Sequence, residues 1–435
     1  MNRLLAVLLV ATLVLGCSEK KGRSGPIKVG VLHSLTGTME VSGKSVRDAT
    51  VLAIDELNEK GGLLGRRLEA VVVDGRSDDA VFVREAERLI TQEEVSVVFG
   101  CWRSSERKSV LPIFEARNHL LIYPLQFEAL EETRNIVYTG ATPNQQIIPA
   151  VKWCMDNLGK RFFLVGTDYV FPRTANAIIR DMVTALKGEV AGEEYVKNDG
   201  SNAKEVVAKV IAGKPAVILN TINGSANKAF FHELRLAGVT PKTTPTMSFS
   251  VAEEELRALS IAEMEGDYAA WNYFMSVDTP ENKAFVARFQ AKHGKDRVIG
   301  DPMESAYFGV HLWAQAVEDA GSDATDQVLR QMPAQSKKAP EGIVAIDPFN
   351  LETWKTVRVG RIRKDGQFDI VWSSSKATRP VTYPMLRTKQ QWLDFLGALN
   401  KGWGGRWAVS RGTLRMMSLL KQTARRSAAL RVTCS

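Results

Sequence analysis

The run Val97-Val98-Phe99-Gly100-Cys101-Trp102-Arg103-Ser104-Ser105 holds the residue types best suited to gripping a small polar molecule. An apolar stretch ends in Gly, an aromatic and two hydroxyls follow, and a helical pattern then runs over residues 106–118. That order reads as strand, tight turn and helix N-terminus, where unpaired N–H groups are free to meet a polar group. Ser104 fits a ligand contact and a plain N-cap equally well, and Trp102 fits a ligand wall and simple packing. Covalent chemistry is not signalled. The five histidines, His33, His119, His232, His293 and His311, sit in no nucleophile motif, and there is no G-x-S-x-G elbow. Gly30-Val31-Leu32-His33 lacks the G-x-G-x-x-G of a dinucleotide site, and no phosphate loop, C-x-x-C pair or zinc-like spacing occurs. The expectation is a binding protein, not an enzyme, with no cofactor and no metal.

Strand-like and helix-like segments must position that turn, and they alternate from Ile27 onward. Strands are predicted at 27–32, 68–73, 95–99 and 120–123, with helices at 46–60, 80–92 and 106–118. Ala49, Ala53, Ile54 and Leu57 share one helical face, and Gly61-Gly62 stops that helix. A βαβα order implies a parallel sheet covered by helices on both faces. A helix at 145–158 begins a second series. Strands follow at 162–166, 189–195 and 216–220, with helices at 174–186, 203–212 and 226–237. A further strand is expected at 267–273, then helices at 280–293 and 303–320. After Pro340, residues 342–346, 356–362 and 367–372 read as a short antiparallel meander turning at Lys364-Asp365-Gly366. The fold class is α/β, with two Rossmann-like lobes of parallel sheet joined by several crossings. Lobe one is expected over 27–145 with a return over about 275–340. Lobe two is expected over 146–274 with a return over about 341–375, and 376–408 forms a C-terminal extension. A cleft between the lobes, at the carboxyl ends of the strands, is the default ligand site.

The termini give an address. Residues 1–17 read as a secretory signal: a basic Arg3, an apolar run too short to span a bilayer, and Leu13-Val14-Leu15-Gly16-Cys17. The ending resembles a bacterial lipobox, which implies lipidation of Cys17; an ordinary cleaved signal is the alternative. Residues 18–26 form a polar tether. The protein is therefore expected outside the cytoplasm, held to the membrane by a lipid. Of the formal net charge of +8, +6 lies in the last 27 residues, which contain no Asp or Glu, so about +2 remains for the rest. That distribution excludes a nucleic-acid-binding fold. The tail, 409–435, fits an altered terminus best; a membrane-surface helix or the stub of a fusion is also open. Cys101 and Cys154 are expected as two buried thiols rather than a bridge.

An ordered set of segments resembles the periplasmic binding proteins of the leucine/isoleucine/valine type, and within them the urea-binding component of urea ABC transporters and the short-chain amide-binding proteins. The segments are Val29–Gly37, Gly100–Pro112, Tyr123–Glu128, Tyr138–Gln146, Val165–Asn176, Asn220–Gly224, Tyr268–Phe274 and Asp301–Glu304. The resemblance implies a type I periplasmic-binding-protein fold and capture of urea, or a close amide, for delivery to membrane permease subunits. It implies ligand contacts at Trp102 and Ser104, at Tyr123 and Leu125, and at Tyr169 and Phe171. Phe127 stands where the family shows Tyr, which removes one hydroxyl. Placement at strand ends adds Gln126 and Asn220 as donors and acceptors, Trp271 and Asn272 as a far wall, and Asp301 and Glu304 as acceptors for N–H groups. Asp301 equally fits a helix cap, and Trp271 equally fits core packing. The alternative function is a sensor or input domain that signals to a regulator or kinase.

Overall fold

A computed structural model describes residues 25–409. The signal segment, Cys17, Cys434 and nearly all of the basic tail lie outside the described residues. The chain opens with β1 (Ile27–His33), α1 (Glu40–Glu59), β2 (Leu68–Asp74), α2 (Asp79–Thr91), β3 (Val98–Gly100), α3 (Ser104–Ala116), β4 (Leu121–Tyr123) and β5 (Ile136–Tyr138). These five strands form one parallel sheet in the order β2-β1-β3-β4-β5. Helix α1 starts six residues before the predicted position, because its polar first turn lies against the loop after β1. Gly43 allows that approach: a Cβ there would stand 2.0 Å from the Ser34 carbonyl oxygen. The Asp78 carboxylate starts α2 by accepting from the N–H groups of Ala80 and Val81, at 2.8 and 3.3 Å, a cap worth about 1 kcal/mol.

A second series follows: α4 (Ile147–Asn157), β6 (Arg161–Thr167), α5 (Val170–Ala185), β7 (Glu189–Val196), α6 (Ala203–Gly213), β8 (Val217–Thr221), α7 (Ala226–Leu236), β9 (Thr246–Ser248), α8 (Glu253–Arg257), α9 (Ile261–Met264) and β10 (Tyr268–Trp271). The chain then returns through α10 (Pro280–His293), α11 (Asp301–Ala320), α12 (Thr325–Gln331), β11 (Ser336–Ala339), β12 (Gly342–Ile346) and β13 (Thr353–Trp354). It ends with β14 (Arg358–Ile362), β15 (Phe368–Ser373) and α13 (Lys389–Gly402). The second sheet runs β15-β14-β10-β9-β8-β6-β7. It is parallel from β10 to β7, and the β14–β15 hairpin adds to it antiparallel through β10.

The expected single meander is therefore two separate pieces. β12 pairs with β11 and β13 in a small sheet of its own, and only β14 and β15 pair with each other. Val344 and Ile346 of β12 pack into the same core as β1–β5. That core also takes in α11, whose fully buried Trp313 meets Phe99 edge-on with ring centroids 5.7 Å apart, a contact worth about 0.5–1.5 kcal/mol beyond its buried area. Two further cores lie on lobe two, and Trp392, Leu396 and Trp403 bring α13 into one of them.

The lobes are joined where Asn272 sits. Its side-chain amide donates to the carbonyl of Gln145 on the first crossing and to that of Thr356 on the third, both at 3.0 Å. One buried side chain thus ties all three crossings together.

Candidate functional site

At the end of β3, Cys101 adopts φ 63°, in the left-handed region that non-glycine residues rarely occupy. The turn aims Trp102 and the start of α3 across the strand ends. Glu106 caps the helix: its Oε2 accepts from the backbone N–H groups of Trp102 and Arg103, at 2.9 and 2.8 Å. Ser104 is the first residue of α3 and makes no cap. Its Oγ accepts from Arg107 Nη1 at 3.1 Å, and its hydroxyl faces the Tyr123 phenol, to which it can donate. Tyr123, at the end of β4, donates its hydroxyl to the Trp102 carbonyl at 2.7 Å, and its oxygen faces Ser104 as acceptor.

Arg107 is the residue that sequence reasoning missed. It is fully buried, with its guanidinium 4.8, 4.9 and 5.8 Å from the rings of Tyr123, Phe127 and Tyr138. It donates to Glu128 Oε1 at 2.8 Å and Glu131 Oε1 at 3.0 Å, and Lys108 donates to Glu131 Oε2 at 2.8 Å. Burial alone would raise the Glu131 carboxyl, but Arg107 and Lys108 outweigh it and hold the group well below the ordinary range. Removing one member of such a buried set leaves an uncompensated charge, at a cost of about 3–5 kcal/mol. Arg103 is likewise paired with Glu106 at 2.8 Å. The only trace in the sequence is a cluster of opposite charges at 103–108 and 128–131, and such clusters usually mark a solvated face.

Leu125 and Gln126 follow β4. The Leu125 carbonyl sits so close to Gly140 that a Cβ there would stand 1.9 Å away. Gln126 reaches the other lobe, donating from Nε2 to the Phe249 carbonyl at 3.1 Å and the Ser250 hydroxyl at 3.2 Å. Tyr169 immediately precedes α5 and is buried; burial raises its phenol far above the usual range, the nearby Tyr123 adds to this, and Arg103 opposes it. Phe171, in the first turn of α5, is buried beside it. Trp407 borders the same region from the C-terminal segment. Its carbonyl accepts from Val170 N–H at 3.0 Å, and its ring lies 5.0 Å from Lys108 Nζ.

The structure brings together Trp102, Ser104, Tyr123, Leu125, Gln126, Tyr169 and Phe171. The side chains of the other expected residues are engaged by partners within the protein. The Asn220 amide donates to Asn227 at 3.0 Å and Ser248 at 3.2 Å, and its oxygen accepts from Ile222 N–H at 2.9 Å. Trp271 is core-packed and donates to the Val251 carbonyl at 2.9 Å. Asn272 is the tie between crossings. Asp301 Oδ2 accepts from the N–H groups of Asn272 and Tyr273, at 3.0 and 2.9 Å, and Glu304 Oε1 accepts from Glu341 N–H at 3.1 Å. Both carboxyls are raised by burial, in a cluster with Glu341 and Lys355.

His33, at the end of β1, is sealed, with neither ring nitrogen hydrogen-bonded; burial lowers it to about 3 and keeps it neutral. No group of His, Cys, Asp and Glu that could hold a metal occurs among the described residues. Two grooves open on the outside of lobe one. One, of about 640 Å³, lies between α1 and α10; the other, of about 540 Å³, lies over α2 and α3. No strand-end residue lines either, so they are not the candidate site.

Residues 27–389 match a family model described as a periplasmic binding protein domain. The Leu/Ile/Val-binding protein homolog 6 of Brucella melitensis is 22% identical over 374 residues, covering 83% of this chain and 94% of that protein. A shorter match, 34% identical over 111 residues, is to a protein named limonene hydroxylase from Geobacillus stearothermophilus; it covers 26% of this chain and only 20% of that one. Among solved structures, a solute-binding protein of an ABC transporter from R. palustris, in complex with 4-hydroxybenzoate, superposes with a TM-score of 0.74 at 21% identity. That match covers 81% of this chain and 98% of the other.

Proposed function

The chain belongs to the periplasmic binding protein family, and from that premise we propose that it captures urea, or a closely related short-chain amide, between its lobes. The hydrogen-bond accounting at the strand ends carries this reading. Ser104 accepts from Arg107 and turns its proton toward Tyr123, a bond that a ligand carbonyl would take over. Tyr123 gives its proton to Trp102, and its oxygen, once released by Ser104, would accept from a ligand N–H. A carbonyl and an amide N–H are the complement of that pair. Trp102, Tyr169 and Phe171 supply flat apolar surface, which suits a small planar ligand.

The charge pattern supports a neutral ligand. Arg103, Glu106, Arg107, Lys108, Glu128 and Glu131 are all in ion pairs with one another. A carboxylate ligand would find no unpaired cation among these six, which favours a neutral one. In this reading the lobes close about the Asn272 crossings and exclude water, which strengthens the bonds to the ligand. The protein is exported, anchored through Cys17, and hands its cargo to the permease subunits of an ABC transporter.

Calorimetric titration of the purified protein with urea, leucine and 4-hydroxybenzoate tests this. Saturable binding of urea alone is expected. Ser104→Ala should weaken it by roughly threefold to tenfold, the worth of one neutral hydrogen bond. Saturable heat from leucine or 4-hydroxybenzoate, with silence from urea, would move the substrate to another class.

A further inference from the structure

We propose that Glu128 and Gln126 make this site selective for ligands with two amide nitrogens, so that urea is held in preference to acetamide; the inference rests on the amide reading above. Glu128 has no exposed surface. Its Oε1 is taken by Arg107 at 2.8 Å, while its Oε2 is sealed from solvent and has no hydrogen-bond partner. Gln126 shows the same asymmetry. Its Nε2 is used on Phe249 and Ser250, and its buried Oε1 is unpartnered. Other buried oxygens also lack a donor, those of Asn272, Asp301 and Glu304 among them, but these two share the short loop that follows Tyr123, where a ligand that donates would offset the cost of burying them. The backbone reinforces the point. Ala129 and Leu130, directly after Glu128, both sit in the left-handed region at φ 56° and 59°, a conformation that persists only where its surroundings impose it.

Together with Tyr123 Oη, the loop offers three acceptors, against the single donor of Ser104. Urea carries four N–H groups and one carbonyl, enough donors for all three acceptors and one acceptor for Ser104. Acetamide carries its N–H groups on one nitrogen and turns a methyl toward the other side, leaving an acceptor unpaired. Sites built to bond a particular donor reject analogues lacking it far more strongly than apolar pockets reject a methyl. The Glu128 carboxylate is already offset by Arg107 and by Lys108, 3.5 Å from Oε1, so a cation gains little here.

Calorimetry with urea, N-methylurea, 1,3-dimethylurea, acetamide and guanidinium is the test. The wild-type protein should bind urea at least tenfold more tightly than acetamide, weaken with each N-methyl group and not favour guanidinium. Glu128→Gln should lower urea affinity at least fivefold more than acetamide affinity. Where loss of the Arg107 partner unfolds that variant, Gln126→Met and the wild-type ligand series decide alone. Equal affinity for urea and acetamide, tighter binding of guanidinium, or a parallel loss of both amides in the variants would overturn the inference while leaving the amide reading in place. Silence from every amide would overturn both.

Discussion

Gly140→Ala probes the point where lobe one's fold and its candidate site are the same object. A Cβ at Gly140 would stand 1.9 Å from the Leu125 carbonyl oxygen, 2.0 Å from its carbon and 2.7 Å from the Gln126 nitrogen. All three are backbone atoms, so no side chain can swing aside. Restoring an ordinary contact needs the Leu125 peptide to retreat by more than about 1 Å. Two hydrogen bonds flank that peptide: Phe127 N–H to the Ala141 carbonyl at 3.0 Å, and Thr139 N–H to the Tyr123 carbonyl at 2.9 Å. Overpacking costs about 1–3 kcal/mol and the two stretched bonds about 1 kcal/mol each, so a loss of about 3–5 kcal/mol is expected. At roughly 2–4 °C per kcal/mol, the melting temperature should fall by at least about 6 °C. Because the same peptide carries Tyr123 to Gln126, urea affinity should fall at least tenfold. Gly397→Ala is the matched control. It is exposed on α13 with nothing within 4 Å of its Cβ position, and should gain about 0.5–1 kcal/mol from helix propensity. Thermal unfolding followed by circular dichroism, with calorimetry on the same samples, reads both. A Gly140→Ala protein that melts within about 1 °C of wild type would refute the close approach on which this reasoning depends.

Two other expectations concern buried ionisable groups. Burial raises the Glu253 carboxyl to about 8, so the folded state keeps a proton that the unfolded chain loses near 4.5. Stability should therefore fall as pH rises through that window, by about 1.4 kcal/mol per pH unit for this group; guanidinium unfolding at pH 6, 7 and 8 should show Glu253→Gln flattened by that slope, and an unchanged slope would contradict it. Cys101 and Cys154 are buried, and burial pushes both thiols up; iodoacetamide at pH 8 should spare them in the native protein and modify them after unfolding, as read by peptide mass spectrometry, and rapid native labelling of Cys101 would contradict the packed turn.

Elements whose signal is local were legible in the sequence. The alternation of β1 to α3, and of β6 to α7, follows from apolar periodicity and glycine stops. β5, Ile136–Tyr138, escapes because polar residues flank it closely, whereas the equally short β3 and β4 sit in longer apolar runs at 95–99 and 120–123. The meander was misassembled because pairing is not local: β14 bonds to β10, about ninety residues earlier in the chain, through Tyr268↔Arg361 to Trp271↔Arg358. The site divides in the same way. Trp102, Ser104, Tyr123 and Tyr169 lie on turns whose aim follows from the strands before them. Asn220 and Trp271 also end strands, but the reading treated every strand end alike, whereas their side chains are spent on partners within lobe two. Arg107, Glu128 and Glu131 carry no sequence pattern that separates them from a solvated helix face and a polar loop. Only the tertiary fold turns them inward together, where burial and pairing make them the frame of the site.

The size of the proposed ligand constrains the energetics of closure. Urea has four non-hydrogen atoms, and the best very small ligands gain about 1.5 kcal/mol per atom, so about 6 kcal/mol is all that it can contribute. That limit corresponds to a dissociation constant of tens of micromolar, about 4 × 10⁻⁵ M. Any net cost of bringing the lobes together is subtracted from it. The closed arrangement must therefore be nearly balanced by the protein's own interlobe contacts: Gln126 with Phe249 and Ser250, Ser42 with Glu255 at 2.6 Å, and Lys108 beneath Trp407. Each such polar contact is worth about 1 kcal/mol in net terms, so a handful of them is of the same order as the ligand's own limit. On the proposed reading, the ligand's few hydrogen bonds are then enough to shift the balance between open and closed forms, and a closed form reports to a transport partner that the site is full.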